Sequence, residues 1–359
     1  MPGLENKPTG LNGTVYIPSF AVATPPYEAD QEVAHAFFGK HYAARLTSRS
    51  RAVMRKVFRH PSVERRRFAL TTPEILVDED PDRRIERFTH WAVELSSRAA
   101  AEALTEAGVT GDDVTALVVN TCTGYICPGL STYLIERMGL ARSVRAYDLV
   151  GVGCGGAVPN LEVCASSLNG QEGVVLSVAV EICSATLQMS DDISLIVSNA
   201  IFADGAAAAV VTNRPGGLAL VDSTRHYAPE YRDHIRYVYK HGQLHNQLSA
   251  ELPGISGEVV GRTISDLLDA HGLAVADVKH WAMHPGGDKV INAVRDAAGL
   301  TEDQLAATRK VLAEYGNMSS ATVWFVLREL RERGMAPGDW CVMLAFGAGM
   351  SAHAYLLQA

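Results

Sequence analysis

The stretch Asp148-Leu149-Val150-Gly151-Val152-Gly153-Cys154-Gly155-Gly156-Ala157 decides how the rest of the chain is read. An apolar run ends in a glycine-flanked cysteine, and Leu161, Ala165 and Leu168 follow at roughly helical spacing. The pattern predicts a sharp turn carrying Cys154, with a helix beginning just after it. Flanking glycines leave no Cβ in the way of an approaching substrate. A helix N-terminus stabilises negative charge, so the expectation is a lowered thiol pKa and an accessible thiolate. The same residues would also suit a buried cysteine in a tight turn, the commoner use of cysteine. The rest of the chain separates these readings.

The chain has 359 residues, of which 47% are hydrophobic and 20% charged, enough for two core-bearing halves or one large α/β unit. A net charge of −8 argues against nucleic acid and anionic membranes as general partners. Met1 to Thr14 is polar and lacks the apolar core of a signal peptide. No apolar run approaches the ~18 residues of a membrane span. Six cysteines (Cys122, Cys127, Cys154, Cys164, Cys183, Cys341) form no C-x-x-C pair. The expectation is a reduced, cytoplasmic protein without structural zinc.

Taken in order, Val15 to Pro18 reads as a short strand and Gln31 to His41 as a helix. A basic run follows: Arg51, Arg55, Lys56, Arg59, Arg65, Arg66 and Arg67. It reads either as a solvated face with salt-bridge partners or as a landing site for a phosphorylated ligand. Asp80 to Arg84 reads as a charged loop. Thr89 to Ala107 is an amphipathic helix stopped by Gly108.

An internal repeat then outweighs any single motif. Gly108, Asp113, Val114 and Asn120 answer to Gly272, Asp277, Val278 and His284, each 164 positions later. Both copies read helix, glycine stop, Asp-Val, apolar strand, then a polar residue. Gly153-Cys154 answers to Gly316-Asn317 at an offset of 163, and Val174–Val180 pairs with Cys341–Phe346. The reading is a duplicated α/β unit, residues 1–213 and 214–359, with the boundary in Thr212 to Gly217. Pseudo-twofold packing would bring Cys154, His284 and Asn317 together at strand and helix ends, where α/β folds carry chemistry.

Those three residue types suit acyl transfer. An imidazole can deprotonate the thiol, and His and Asn N–H groups can hold a developing oxyanion. Asn317 could instead be a plain helix cap. Papain-like proteases use the same residue types in the same order. Their Cys-Gly-Ser/Ala-Cys-Trp/Tyr signature is absent here, and a mid-chain cysteine in a duplicated α/β pattern does not fit them.

Four motifs together resemble the type III polyketide synthase (chalcone synthase-like) family, over about Val15 to Leu357. They are Val152-Gly153-Cys154-Gly155-Gly156, Ile201-Phe202-Ala203-Asp204-Gly205-Ala206, His284-Pro285-Gly286-Gly287 and Tyr315-Gly316-Asn317-Met318-Ser319-Ser320. Ketoacyl-ACP synthase III enzymes share the Cys-His-Asn set but carry His-Gln-Ala-Asn at the histidine. The resemblance implies a thiolase fold layered α/β/α/β/α, a homodimer, and no metal or redox cofactor. It implies that Cys154 holds the growing chain as a thioester taken from a CoA starter. His284 and Asn317 would bind the malonyl-CoA carbonyl, promote decarboxylation and stabilise the enolate, with a thiolate–imidazolium pair keeping the sulfur reactive.

Further implied are Phe202 as a gatekeeper, and Thr186, Ser319, Cys122, Cys127 and Gly287 at the pocket. Arg55, Lys56 and Arg59 would take the CoA phosphates. Counting from Pro253-Gly254, Asn246 stands where chalcone-forming relatives carry a phenylalanine, and alanine replaces proline in Phe346-Gly347-Ala348-Gly349-Met350. These departures point to a bacterial-type member with its own cavity. The alternatives are a ketoacyl-ACP synthase III-like enzyme and a silent dimeric CoA-ester-binding homologue. Starter, number of extensions and mode of cyclisation depend on cavity shape and are not readable from the residues.

Overall fold

The computed structural model describes residues 14–168, 172–240 and 242–359. The first half carries strands β1 (Val15–Ala23), β2 (Tyr27–Asp30), β3 (Arg65–Phe68), β4 (Val114–Asn120), β5 (Arg145–Leu149), β6 (Val174–Ile182) and β7 (Asp204–Thr212). The second carries β8 (Leu218–Tyr227), β9 (Ile235–Lys240), β10 (Gln243–Leu248), β11 (Val278–Met283), β12 (Trp340–Gly347) and β13 (Ser351–Gln358). A nine-stranded sheet runs β11-β12-β13-β8-β1-β7-β6-β4-β5, and β2–β3 and β9–β10 form separate ribbons.

The duplication is visible strand by strand. β4 runs parallel to β6, as β11 does to β12. β6 and β12 each continue antiparallel, into β7 and β13. β1 and β8 close the two halves and join them over Val15↔Leu220 to Ile17↔Leu218. The expected boundary at 213/214 falls in the turn between β7 and β8.

The repeated glycine and Asp-Val pairs have a local cause. Gly108 (φ 67) and Gly272 (φ 62) end helices Pro81–Ala107 and Leu252–Ala270 in the left-handed region, where only glycine is unstrained. The Asp113 carboxylate then accepts from Thr110 N at 2.8 Å, and Asp277 from Ala274 N at 2.7 Å. Each bond closes a short turn that aims the chain into β4 or β11.

Alternation along the buried strands builds the layers. Val175 and Ala179 of β6, with Cys341, Met343 and Ala345 of β12, face a common core with helices Ala157–Leu168 and Thr322–Arg333. Leu176 and Val178 face helix Pro81–Ala107 on the other side. Val342 and Leu344 face helices Leu252–Ala270 and Asp288–Ala298. Helices therefore lie outside each half and between them, the α/β/α/β/α order of the thiolase fold.

Three expectations need correction. Asp80 to Arg84 is the start of a helix: the Asp80 side chain accepts from Asp82 N and Arg83 N, and Pro81 opens the first turn. β1 runs past Pro18 to Ala23. The basic run is not one surface. Arg66 is 1% exposed. Its Nη1 donates to Asn199 O and Phe202 O, both at 2.7 Å, and its Nε to Gln31 Oε1 at 3.2 Å. The guanidinium lies over the rings of Phe58 and Phe68, and burial lowers its pKa to about 9. Arg65 pairs with Glu314, Arg67 stacks on Tyr315, and Arg51 donates to Ala43 O and Leu46 O. Arg55, Lys56 and Arg59 remain exposed and make no ion pair among the described residues.

Replacing Arg66 with alanine strands two buried carbonyls and the Gln31 side chain. Urea titration of Arg66→Ala is expected to show a loss of about 3–5 kcal/mol, with partial recovery in Arg66→Lys. A loss below about 1 kcal/mol would contradict this role.

Candidate active site

Three segments meet where the two halves join. Cys154 sits in a single turn, Gly153–Gly155, ahead of helix Ala157–Leu168. The end of β12 lies against that turn. A Cβ on Gly347 would stand 2.6 Å from Gly155 N and 2.9 Å from Cys154 N, so only glycine permits the approach. His284 follows β11 directly, and its N–H donates to Leu344 O at 2.8 Å, extending the ladder with β12. Its ring stands edge-on to Phe346, centroids 5.3 Å apart.

Asn317 is fixed by a β-bridge to the Phe202 segment. Its N–H donates to Ile201 O at 2.8 Å, and its carbonyl accepts from Ala203 N at 2.9 Å. The side-chain Oδ1 accepts from Ser319 N at 2.8 Å, which leaves Nδ2 directed elsewhere without a partner among the described residues. The Ser319 hydroxyl donates to Cys154 Sγ at 3.2 Å and contacts Cys122 Sγ at 3.1 Å. Cys154 and Asn317 are thus linked through one serine. His284 is 1% exposed, and neither ring nitrogen has a hydrogen-bond partner among the described residues.

The electrostatics depart from the sequence expectation. Burial pushes the Cys154 thiol up to about 12, the Ser319 hydrogen bond opposing it, and burial lowers His284 to about 3. Thiol and imidazole are both neutral at rest, and no hydrogen bond joins them. The helix begins three residues beyond Cys154, too far for its N-terminus to offset desolvation of the sulfur.

Phe202, Thr186 and Asn246 line one cavity, with Ser184, Asn199 and Tyr237. Asn246 is not stranded there, because its Nδ2 donates to Ser198 Oγ at 3.2 Å. Cys122 lines an adjoining, more open cavity, with Gly153, Arg232, Tyr239 and Ala348. Tyr237 of β9 forms part of both walls. Gly287 (φ 133) precedes helix Asp288–Ala298 and shapes the turn after His284. Cys127 is exposed and lines neither cavity. Among the described residues no group of three His, Cys, Asp or Glu is placed to hold a metal ion, and no helix is long and apolar enough to cross a membrane.

Two contributors escaped the sequence reading. Glu181, 0% exposed, accepts from Thr123 Oγ1 at 2.8 Å, Cys122 N at 3.0 Å, Thr121 Oγ1 at 3.2 Å and Ser320 Oγ. A carboxylate inside the apolar run Val174–Ile182 was its only signal. Tyr237 had a signal that went unread, the alternation of Ile235, Tyr237 and Tyr239 along β9.

A thiol, an imidazole without a hydrogen-bond partner among the described residues and an asparagine amide meet at the junction of two α/β repeats, a set that could carry thiol-dependent acyl transfer. Residues 10–265 match the family described as FAE1/type III polyketide synthase-like protein, and residues 219–359 the chalcone and stilbene synthase C-terminal domain. The chain belongs to the type III polyketide synthase family. It is 32% identical to the 1,3,6,8-tetrahydroxynaphthalene synthase of Streptomyces peucetius subsp. caesius, over 86% of this chain and 84% of that protein. It is 30% identical to the 3,5-dihydroxyphenylacetyl-CoA synthase of Streptomyces toyocaensis, over 99% and 96%. The crystal structure of PKS-I from the brown alga Ectocarpus siliculosus superposes with a TM-score of 0.88 at 29% identity, covering 98% of this chain and all of that one.

A second buried histidine sharpens a pH expectation. His353, 0% exposed, stands edge-on to Tyr227 beside Gly155, and burial with nearby Arg225 lowers its pKa to about 4. Folded His284 and His353 stay neutral while their unfolded counterparts take up protons below about pH 6.5. Stability is therefore complete above that pH and falls toward pH 4, each histidine contributing about 1.4 kcal/mol per pH unit. Urea titrations across this range are expected to show a shallower fall in His353→Gln. Parallel curves for the two proteins would contradict the assignment.

Proposed function

We propose that the protein condenses malonyl-CoA onto an acyl-CoA or malonyl-CoA starter held as a thioester on Cys154, and then cyclises the chain. The observation that carries this reading is the Ser319 bridge, which places the Cys154 sulfur and the Asn317 amide around one point. His284, with both ring nitrogens uncommitted, follows the strand beside the Cys154 turn.

In the first half-reaction His284 takes the Cys154 proton, and the sulfur attacks the starter carbonyl. The C–S bond to CoA breaks, and the leaving thiolate takes up that proton. In the second, N–H groups of His284 and Asn317 donate to the thioester oxygen of malonyl-CoA. The bond to its carboxylate breaks, CO2 leaves, and the electron pair moves into the enolate those donors stabilise. The enolate carbon attacks the Cys154 thioester, and Cys154 leaves as thiolate. His284 begins neutral and so can accept a proton, and the charge pair arises only once substrate occupies the site.

Arg55, Lys56 and Arg59 are the unpaired cations of the basic run and are assigned to the CoA phosphates. Phe202 and Asn246 stand at the inner cavity, with Thr186 on the same wall. An amide there narrows the choice of starter. Its carbonyl oxygen seeks a donor, of which an aromatic starter of the coumaroyl kind offers few, and leaving a polar group buried and unpaired costs about 1–3 kcal/mol. The reading is a small or aliphatic starter, or malonyl-CoA itself. A homodimer is part of the reading: edge strand β5 and its flank expose Tyr147 (39%) and Val150 (55%). So are a cytoplasmic location and the absence of any metal or redox cofactor from the chemistry.

The test is incubation with malonyl-CoA and a panel of acyl-CoA starters, with products identified by mass spectrometry. Short aliphatic starters or malonyl-CoA alone are expected to give cyclised polyketides, and Cys154→Ala none. His284→Ala and Asn317→Ala should each slow malonyl-CoA decarboxylation by about 2–4 kcal/mol of barrier. Highest kcat/KM with coumaroyl-CoA, and chalcone as product, would overturn the starter assignment.

A further inference from the structure

Ser319 is the one described residue other than glycine with positive φ, at 50°. A side chain in that region is strained and persists where its surroundings hold it. Three contacts do so here. Ser319 N–H donates to Asn317 Oδ1, the Ser319 carbonyl accepts from Thr322 Oγ1 at 2.8 Å, and the hydroxyl lies between two sulfurs. A serine hydroxyl has one proton. It is directed at Cys154 Sγ at 3.2 Å, and the Cys122 sulfur lies 3.1 Å from the same hydroxyl oxygen. No other side chain hydrogen-bonds the Cys154 sulfur among the described residues.

We propose that Ser319 is a catalytic residue of the acyl-transfer step, its hydroxyl donating a hydrogen bond to the Cys154 thiolate as it forms and after it is released. No proton is transferred by Ser319; the proton of Cys154 still leaves through His284. The strained backbone is what aims the hydroxyl at the sulfur. The donor is needed because the Glu181 carboxylate, bonded to Cys122 N, opposes negative charge on the sulfur, and His284 makes no bond to it at rest. Hydrogen bonds to charged groups are about twice as strong as neutral ones. The contact therefore favours thiolate over thiol, which uniform packing would not do.

This proposal rests on the reading of Cys154 as acyl carrier. Its test uses no acyl substrate: the rate of Cys154 alkylation by iodoacetamide, followed against pH by peptide mass spectrometry. Ser319→Ala and Ser319→Gly are both expected to react about tenfold more slowly at neutral pH, their profiles displaced about one unit to the alkaline side. Unchanged profiles in both Ser319 variants overturn the proposal. So does a slow Ser319→Ala beside a normal Ser319→Gly, because glycine relieves the strain and shares only the lost hydroxyl. Acyl loading of the unaltered protein from an acyl-CoA tests the underlying reading separately, so the two can fail independently.

Discussion

Glu181 is a buried carboxylate without a cation beside it, and its environment constrains how the two halves assemble. Burial raises its pKa, and hydrogen bonds from Ser320, Thr123, Thr121 and from the amide and side chain of Cys122 oppose that. Ser320 belongs to the second half and the rest to the first. The Ser320 hydroxyl also accepts from Asn120 Nδ2 at 2.8 Å, and Asn120 Oδ1 accepts from Asn160 at 2.9 Å. An unpaired buried carboxylate is costly, so the network is complete only when the loop bearing Asn317 and Ser319 is docked. The contact that seats Glu181 therefore also seats the asparagine amide and the hydroxyl on Cys154.

The repeat shows how one ancestral position can carry two uses. Asn120 and His284 occupy equivalent strand ends, 164 residues apart. Asn120 is spent on structure, bonded on both sides of its amide. His284 has no such partners and stands beside Phe346 with both nitrogens free. Cys154 and Asn317 likewise share a place ahead of a buried helix in their respective halves.

Much of this was legible in the residues. The glycine stops, the Asp-Val turns and the alternating apolar strands are local signals with local causes, and the structure bears out each. The closeness of Cys154 and Asn317 followed from their repeat positions. What sequence could not carry was set by burial and long-range contact. The helix dipole was expected to lower the Cys154 pKa, whereas desolvation raises it, since the turn holding the sulfur ends before the helix begins. Arg66 read as surface charge because nothing local distinguishes it from Arg55; its partners Asn199 and Phe202 lie more than 130 residues away. The alternation of Ile235, Tyr237 and Tyr239 marks a strand face, but that Tyr237 lines both cavities is set by where the ribbon packs.

In the proposed function Cys154 alone carries the acyl chain while the Asn317 side serves decarboxylation. Peptide mass spectrometry after brief exposure to a short acyl-CoA, with Asn317→Ala used to stall extension, tests it most directly. The account predicts one thioester adduct of the starter's mass on the peptide containing Cys154, without products of malonyl extension. An adduct on Cys122 or Cys183 in its place, or none on any cysteine while polyketide still forms, would contradict it.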